Sequence, residues 1–119
     1  MGSTLERERI ERRKEPFDLN LLQEARRFAF QAIEEISRGI EPGMNEAHGN
    51  QRIEKVLKSM GAKHWHRPHL RFGKNTTLNY AEISDPEVVL GSDDIYFIDI
   101  GPVWNGYEAD AGKTFVIGT

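Results

Sequence analysis

Apolar residues recur at intervals of three and four along residues 22–40, with charged residues between them. This spacing places the apolar side chains on one face of an α-helix, so we predict an amphipathic helix over residues 19–38. Asp18 stands where an N-cap residue is expected, and Gly39 follows the last turn. The first element of the fold is therefore a helix with one buried face.

A second amphipathic stretch follows a turn marked by Pro42 and Gly43. Asn45 precedes it as a suitable N-cap, and Gly61 is placed to end it. Its apolar positions share one helical face and are Ile53, Val56, Leu57 and Met60. The pattern therefore predicts that two helices come first.

The hydrophobic period changes to that of β-strands after Trp65. We predict a short strand at residues 69–73, a polar loop at 73–79 and a short extended segment at 88–90. The strongest strand signal covers residues 95–101, and Asn105 and Gly106 predict a hairpin turn because both tolerate positive φ. The return strand is expected over residues 107–117. The order of elements predicts an α+β fold in which two helices precede an antiparallel sheet.

Composition limits the classes of protein to which the chain can belong. Its 119 residues make one small domain, with 38% hydrophobic and 29% charged residues and no apolar run long enough for a membrane span. A net charge of −3 gives no general basic field for nucleic acid. Cysteine is absent, and the charged N-terminus does not resemble a signal peptide. We therefore expect a cytoplasmic protein without membrane or nucleic-acid partners.

The N-terminal segment differs in composition from the rest of the chain. Residues 4–15 read TLERERIERRKE, with charges of both signs and two apolar side chains. Such a run is typical of a solvated helix or arm, although its arginines leave a nucleic-acid contact open as the alternative. We therefore divide the chain into a charged arm at residues 1–16 and a domain at residues 17–119.

Two aspartates stand in the predicted hairpin at positions that bring them together. If Asn105 and Gly106 form a two-residue turn, Asp110 faces Gly101 and is one diagonal step from Asp99. If the turn is centred one position earlier, the two aspartates face each other directly. Either register puts both carboxylates on one face, about 4.5 to 8 Å apart, whereas a slip of one residue would separate them.

Two neighbouring carboxylates in a strand need a compensating charge. A shared proton, an arginine or a divalent cation would each supply it, and hard carboxylate oxygens suit ions such as manganese. Lys113 stands an odd number of positions from Asp110 and should point to the other face. The alternative is that both aspartates are solvated turn residues, which are common around hairpins.

The stretch FIDIGPVWNGYEADAGKTFVIG resembles the first metal-binding hairpin of the pita-bread metallopeptidases, which include methionine aminopeptidase, aminopeptidase P, prolidase and relatives of creatinase. The matching residues are Asp99, Ile100, Gly101, Gly106, Tyr107, Asp110, Thr114, Phe115 and Gly118. The turn IEPGMNE at residues 40–46 resembles the family's turn between its first two helices. Within the family, the Xaa-Pro aminopeptidases and prolidases are the most similar members.

The resemblance implies a function that needs more than this chain. It implies that Asp99 and Asp110 bind two divalent ions, of which manganese or cobalt is expected and zinc or iron possible in principle. A histidine and two glutamates from the second half of the family's fold complete the site, and no acid follows Asp110 here. The implied activity is metal-dependent hydrolysis of an N-terminal or Xaa-Pro peptide bond, incomplete or absent in the isolated chain.

Other residues are candidates for supporting roles. The family's substrate-facing histidine falls near Asn79 or Tyr80, neither of which is a histidine. Tyr80, as a hydrogen-bond donor, and His69 are the candidates for contact with a peptide substrate, and a tyrosine that only packs its ring is the alternative. Thr114 and Gly101 fit roles beside the ligands, Thr114 by orienting a carboxylate and Gly101 by admitting an ion or substrate; an ordinary β-branched strand residue is the alternative for Thr114.

Two further features, the histidine pair at residues 64 and 66 and the tryptophan at residue 104, do not require a catalytic role. His64 and His66 would share one strand face, but we find no paired acid for them and expect a partly exposed strand edge. Trp104, next to the turn, either packs back on the sheet or meets a partner.

The partners expected are the second half of the fold, a second chain or a second copy of this chain. Half of a pita-bread fold leaves one face of its sheet uncovered, which predicts self-association. A pita-bread domain that has lost catalysis and serves as a protein-interaction module is the alternative function.

Overall fold

The two predicted helices are present, and each begins at its predicted capping residue. The structure, a computed structural model, describes residues 16–118. Helix α1 spans Leu19–Ser37, and the side chain of Asp18 accepts hydrogen bonds from its first turn. Helix α2 spans Glu46–Ser59 and begins at Asn45, whose side chain accepts from the backbone of His48. Within the described residues, neither helix is long and apolar enough to cross a membrane.

Six strands follow the helices and form two small antiparallel sheets. The strands are β1 (His64–Trp65), β2 (His69–Phe72), β3 (Asp94–Ile100), β4 (Pro102–Trp104), β5 (Tyr107–Glu108) and β6 (Ala111–Ile117). One sheet has the order β1-β4-β5 and the other the order β2-β3-β6. The single sheet predicted from the sequence is thus divided into two, and the predicted return strand is divided into β5 and β6.

The division occurs where a proline interrupts the hydrogen-bond ladder. Pro102 lies opposite Ala109, and its carbonyl oxygen accepts a hydrogen bond from the backbone N–H of Ala109 with an N···O distance of 3.0 Å. A proline has no N–H to return the second bond of the pair, so the ladder is incomplete at this point. The register nevertheless continues unbroken from Trp104 opposite Tyr107 to Asp94 opposite Ile117. The hairpin therefore keeps one register with a break in its hydrogen bonding.

The turn of this hairpin has the predicted two-residue form. Asn105 has φ of 51° and Gly106 has φ of 82°, as in a type I′ turn. Of the two registers left open by the sequence, the structure has the one centred between these residues.

Two minor predictions about the connecting segments need correction. Residues predicted as a polar loop form a 3-10 helix, Gly73–Thr77, in which two threonine hydroxyls donate to carbonyls three residues earlier. The predicted extended segment at residues 88–90 is reduced to an isolated bridge between Val89 and Asn45. Nearly all of the predicted charged arm lies outside the described residues.

The core lies between the helices and one face of the β2-β3-β6 sheet. Tyr96, Ile98 and Ile100 of β3 are buried against it, and the helices contribute Ala29, Ile33, Ile36, Ile53 and Leu57. The alternate residues of β3 face away from the helices, and among them Ile95 is 39% exposed. The helices therefore cover one face of this sheet, while the opposite face stays open in residues 16–118.

A buried carboxylate ties helix α2 to the strand that follows it. Glu46 is 9% exposed, and its Oε2 accepts from the backbone N–H of Phe72 at 2.8 Å and from Nδ2 of Asn75 at 2.9 Å. Asn75 also exchanges hydrogen bonds with the backbone of Asp85. This network fixes the loop that carries Tyr80.

Candidate metal centre

Asp99 and Asp110 lie on the same open face of the sheet, as the hairpin pattern predicts. Asp99 pairs with Gly112 of β6, and the continuous register sets Asp110 opposite Gly101. Both aspartates line one open pocket of about 380 Å³, together with Thr114. The two carboxylates are thus diagonal neighbours across the hairpin, Asp99 half-buried in its strand and Asp110 exposed at the break in the ladder.

The charge that compensates Asp99 is not an arginine or lysine of the described chain. Among residues 16–118, its carboxylate forms no hydrogen bond or ion pair. Lys113, as predicted, points to the other side of the sheet, where its Nζ lies 2.7 Å from Oε1 of Glu34. Carboxylates that are not consumed by internal ion pairs are suitable ligands for hard divalent ions, so Asp99 fits a metal site.

His66 was expected at a partly exposed strand edge without a paired acid. It follows the edge strand β1 and is partly exposed, but the expectation that it has no paired acid is wrong. Its Nε2 lies 2.8 Å from Oδ1 of Asp110, and its side chain is 20% exposed. The contact arises because β1 pairs with β4, with His64 opposite Val103, so that His66 follows at the level of Gly101. His64 is more exposed than His66.

Gly101 provides the space that the His66 ring occupies. A Cβ atom at this position would lie 1.7 Å from Nε2 of His66 and 2.7 Å from Oδ1 of Asp110. Real Cβ atoms do not approach other atoms this closely, so any larger residue would displace the ring or the carboxylate. The glycine was expected to admit an ion or substrate, and in this structure it admits a histidine.

Glu108 joins the same cluster and was not identified from the sequence. Ligand atoms of His66, Glu108 and Asp110 all lie within 4.8 Å of one another. A signal for Glu108 was present, since it stands two residues before Asp110 and therefore on the same strand face. No local signal existed for His66, which is 44 residues away from Asp110.

The two candidates for substrate contact lie together beside Asp99. His69 pairs with Asp99 across β2 and β3, and its ring centroid is 4.3 Å from that of Tyr80. Both residues line a second pocket of about 480 Å³, which Arg67 and Arg71 also line. The structure brings His69 and Tyr80 together, whereas their contact with a substrate stays a prediction.

The environment of His69 leads to a prediction about its protonation. Burial lowers the pKa of His69 below its ordinary value of 6.5, while the negative charge of Asp99 raises it and nearby Arg71 and Arg67 lower it. Because the folded pKa lies below the unfolded one, His69 costs stability as the pH falls through and below about 6.5.

We expect Asp99→Asn to lower the pKa of His69 further, because the variant removes the charge that favours the imidazolium form. An NMR pH titration of the histidine ring signals measures this, with exposed His48 as the internal control. A rise in the His69 midpoint in the variant would contradict the cross-strand arrangement.

Comparison with known proteins gives the family. The sequence profile of Metallopeptidase family M24 matches residues 20–119 of this chain. A Mycoplasma pneumoniae protein that carries an Xaa-Pro aminopeptidase name is 30% identical over 110 residues, which are 92% of this chain and 30% of that protein. Methionine aminopeptidase 1 of Bacillus subtilis is 29% identical over 109 residues, which are 88% of this chain and 44% of that protein.

Solved structures share the fold. The X-Pro aminopeptidase of Thermotoga maritima superposes with a TM-score of 0.74 at 22% sequence identity, over 100% of this chain and 33% of that one. The prolidase of Pyrococcus horikoshii gives a TM-score of 0.74 at 22% identity, over 89% of this chain and 30% of that one.

The chain spans less than half the length of the sequence relatives it matches. The match nevertheless covers nearly all described residues, and it includes both helices and the hairpin that carries the two aspartates. Two helices followed by antiparallel strands, with this similarity to aminopeptidases and prolidases, correspond to part of a pita-bread α+β fold. The chain belongs to metallopeptidase family M24, whose members depend on divalent metal ions.

Proposed function

We propose that this chain supplies Asp99 and Asp110 to a dinuclear metal centre that hydrolyses N-terminal or Xaa-Pro peptide bonds. The observation that carries the proposal is the placement of both carboxylates on one open sheet face, around a shared pocket, in a chain of a metallopeptidase family. Manganese or cobalt is the ion we expect. Zinc and iron are the alternatives that the same oxygen ligands accept.

The two aspartates contribute differently to such a centre. Asp99 is held by strands on both sides, β2 and β6, so its carboxylate has a fixed position on the sheet. Asp110 stands just before β6, and its side chain is 69% exposed, so it can adjust to the ions. When bound, a pair of divalent ions supplies activation of water and polarisation of the peptide carbonyl.

The remaining ligands are expected from outside residues 16–118, by analogy with the histidine and glutamates of the family. The open sheet face offers the surface on which they would be presented. Val116 is 76% exposed there and Ile95 is 39% exposed, so this face carries apolar area beside Asp99. We propose that it binds the segment that completes the site, or a second copy of the chain.

The substrate is proposed to be a peptide that reaches the centre past His69 and Tyr80. These rings stand between Asp99 and the pocket lined by Arg67 and Arg71. Arg71 is buried and donates to the carbonyl oxygens of Asn79 and Glu82, so the exposed guanidinium group of Arg67 is the one that suits a peptide carboxylate. The Xaa-Pro specificity in the proposal rests on the name of the Mycoplasma relative.

Counting bound Mn²⁺ by electron paramagnetic resonance tests the ligand assignment. The free-ion signal is measured for concentrated protein, so that weak binding is detected. We expect Asp99→Asn to lower the number of ions bound per chain by about one, because the amide loses the charge that attracts the ion. Asp93→Asn is the matched control, since Asp93 is an exposed turn residue, and its ion count should equal that of the wild type.

Peptide hydrolysis and sedimentation are measured on the same samples. We expect turnover of an Xaa-Pro peptide only in samples in which sedimentation shows that the chain has associated with a partner. Equal Mn²⁺ counts in the wild type and Asp99→Asn would overturn the assignment of Asp99 as a ligand.

A non-catalytic interaction module is the second candidate function. The exposed apolar side chains of the sheet face favour it, because they suit a partner whether or not a metal is present. This function predicts that sedimentation shows association with a partner and that no peptide hydrolysis is measured in the presence of Mn²⁺.

A further inference from the structure

Three potential metal ligands of this chain meet beside the β1-β4-β5 sheet, in a group that does not include Asp99. His66 and Asp110 stand on either side of Gly101, and Glu108 lies two residues before Asp110. Their ligand atoms lie within 4.8 Å of one another, and Asp99 is not part of the group. The cluster combines one imidazole with two carboxylates.

The orientation of the His66 ring indicates what the cluster can bind. Its Nδ1 donates to the carbonyl oxygen of Arg67 at 3.2 Å, and a carbonyl oxygen can only accept. Its Nε2 faces Oδ1 of Asp110 at 2.8 Å, and an ionised carboxylate is likewise only an acceptor. A second ring proton, a proton on the carboxyl group or a metal ion would each satisfy both atoms, so this contact is compatible with a metal ion.

A histidine that binds a metal through one ring nitrogen almost always donates its other N–H to a carbonyl or carboxylate. The contact between His66 and Arg67 has this form. It is independent of the two acidic side chains, because it fixes the ring from the opposite side. Gly101 adds to the fixation, since the space left by its missing Cβ holds the ring against Asp110.

We propose that His66, Glu108 and Asp110 form a binding site for a single divalent transition-metal ion, with Nε2 of His66 as its nitrogen ligand. The proposal shares Asp110 with the proposed function, but it requires neither Asp99 nor ligands from outside the chain. It therefore describes an ion that these 119 residues bind by themselves.

The distances and ligand types suit the first-row metals that accept imidazole. Two ligands at roughly 2.1 Å from one ion are about 3.4 Å apart at the tetrahedral angle. Nε2 and Oδ1 are 2.8 Å apart, so a small movement of the exposed Asp110 side chain would admit an ion. Imidazole with carboxylates favours zinc and cobalt over magnesium and calcium. Asp110 is 69% exposed, so water has access to complete the coordination.

Titration with Co²⁺, followed by its visible absorption and by calorimetry, tests the proposal on the metal-free chain. We expect one tightly bound ion per chain at this site in the wild type, distinct from the weaker binding at Asp99, and at least a tenfold loss of its affinity in His66→Gln. The glutamine amide can replace the hydrogen bond to Asp110 but is a poor ligand for this ion. Unchanged affinity in His66→Gln would show that His66 only donates a proton to Asp110, and would overturn the site.

Three further variants separate this site from the proposed function. Glu108→Gln should weaken Co²⁺ binding by a similar factor, whereas Asp99→Asn should leave this binding event unchanged. His48→Ala is the matched histidine control, because His48 is exposed on helix α2. A loss in Asp99→Asn with no loss in His66→Gln would support the dinuclear assignment and contradict the separate site.

Nitrogen NMR with Zn²⁺ gives a signature that a purely structural role would not produce. On addition of Zn²⁺, the Nε2 resonance of His66 should shift while Nδ1 stays protonated. An unshifted Nε2 at saturating Zn²⁺ would overturn the assignment. Thermal unfolding without metal checks that His66→Gln retains the fold.

Discussion

Replacing Trp104 with alanine is expected to lower the free energy of unfolding by about 3–5 kcal/mol, the usual cost of removing a buried aromatic side chain. Trp104 stands next to the hairpin turn but is only 6% exposed. Its ring packs at 5.3 Å from that of Phe28 on α1, and its Nε1 donates to the carbonyl oxygen of Met60. Trp104 therefore joins the β1-β4-β5 sheet to both helices. Its removal should weaken the contacts between this sheet and the helices.

Urea unfolding followed by circular dichroism measures this effect in a chain of this size. Trp104→Phe keeps most of the ring contact and loses the hydrogen bond at 3.3 Å, so a loss of about 1 kcal/mol is expected. Tyr80→Ala is the exposed aromatic control, since Tyr80 is 73% exposed. A Trp104→Ala chain as stable as Tyr80→Ala would show that Trp104 does not hold the sheet to the helices.

Replacing Glu46 with alanine is expected to lower the free energy of unfolding by about 3 kcal/mol, because it removes the acceptor of a buried backbone N–H and one of the two acceptors of a buried amide. Each hydrogen bond to a charged group contributes roughly 1.5–3 kcal/mol, and an unsatisfied buried N–H adds a desolvation cost. The donors are the backbone of Phe72 and the amide of Asn75. Asn75 keeps its hydrogen bond to the carbonyl oxygen of Asp85, whereas the backbone N–H of Phe72 loses its acceptor.

The same helix offers a matched control for this substitution. Glu54 is exposed and forms an ion pair with Lys58 four residues later, so Glu54→Ala should change the free energy of unfolding by less than about 0.5 kcal/mol. Glu46→Gln keeps an acceptor oxygen and should fall between the two. Equal stabilities of Glu46→Ala and Glu54→Ala would contradict the network that ties α2 to β2.

The elements that could be predicted from the sequence are those with local causes. Asp18 and Asn45 cap helices within their own turns, and the backbone preferences of Asn105 and Gly106 predict the place of the hairpin turn, with two registers left open. The division of the return strand could not be seen in residues 107–117 themselves. Its cause is Pro102 on the opposite strand, which matters only once the register is known.

The candidate site follows the same rule. Asp99 and Asp110 belong to one hairpin, so their common face follows from counting residues about the turn. His66 meets Asp110 only because two residues of β1 pair with β4, and a strand of two residues has no readable pattern. The space at Gly101 that admits the ring is likewise a property of three strands together and not of any one segment.

Side chains that stabilise the fold alternate along β3 with side chains that face the candidate metal site. Ile98 and Ile100 are fully buried against the helices, whereas Asp99 between them faces the open side. Neighbouring positions are therefore under different constraints, since a change at Ile98 removes packing and a change at Asp99 removes only a potential ligand. A descendant that had exchanged Asp99 for another polar residue would keep the same fold and lose the proposed metal ligand. The residue at position 99 can therefore change during evolution while the packing of β3 against the helices is retained.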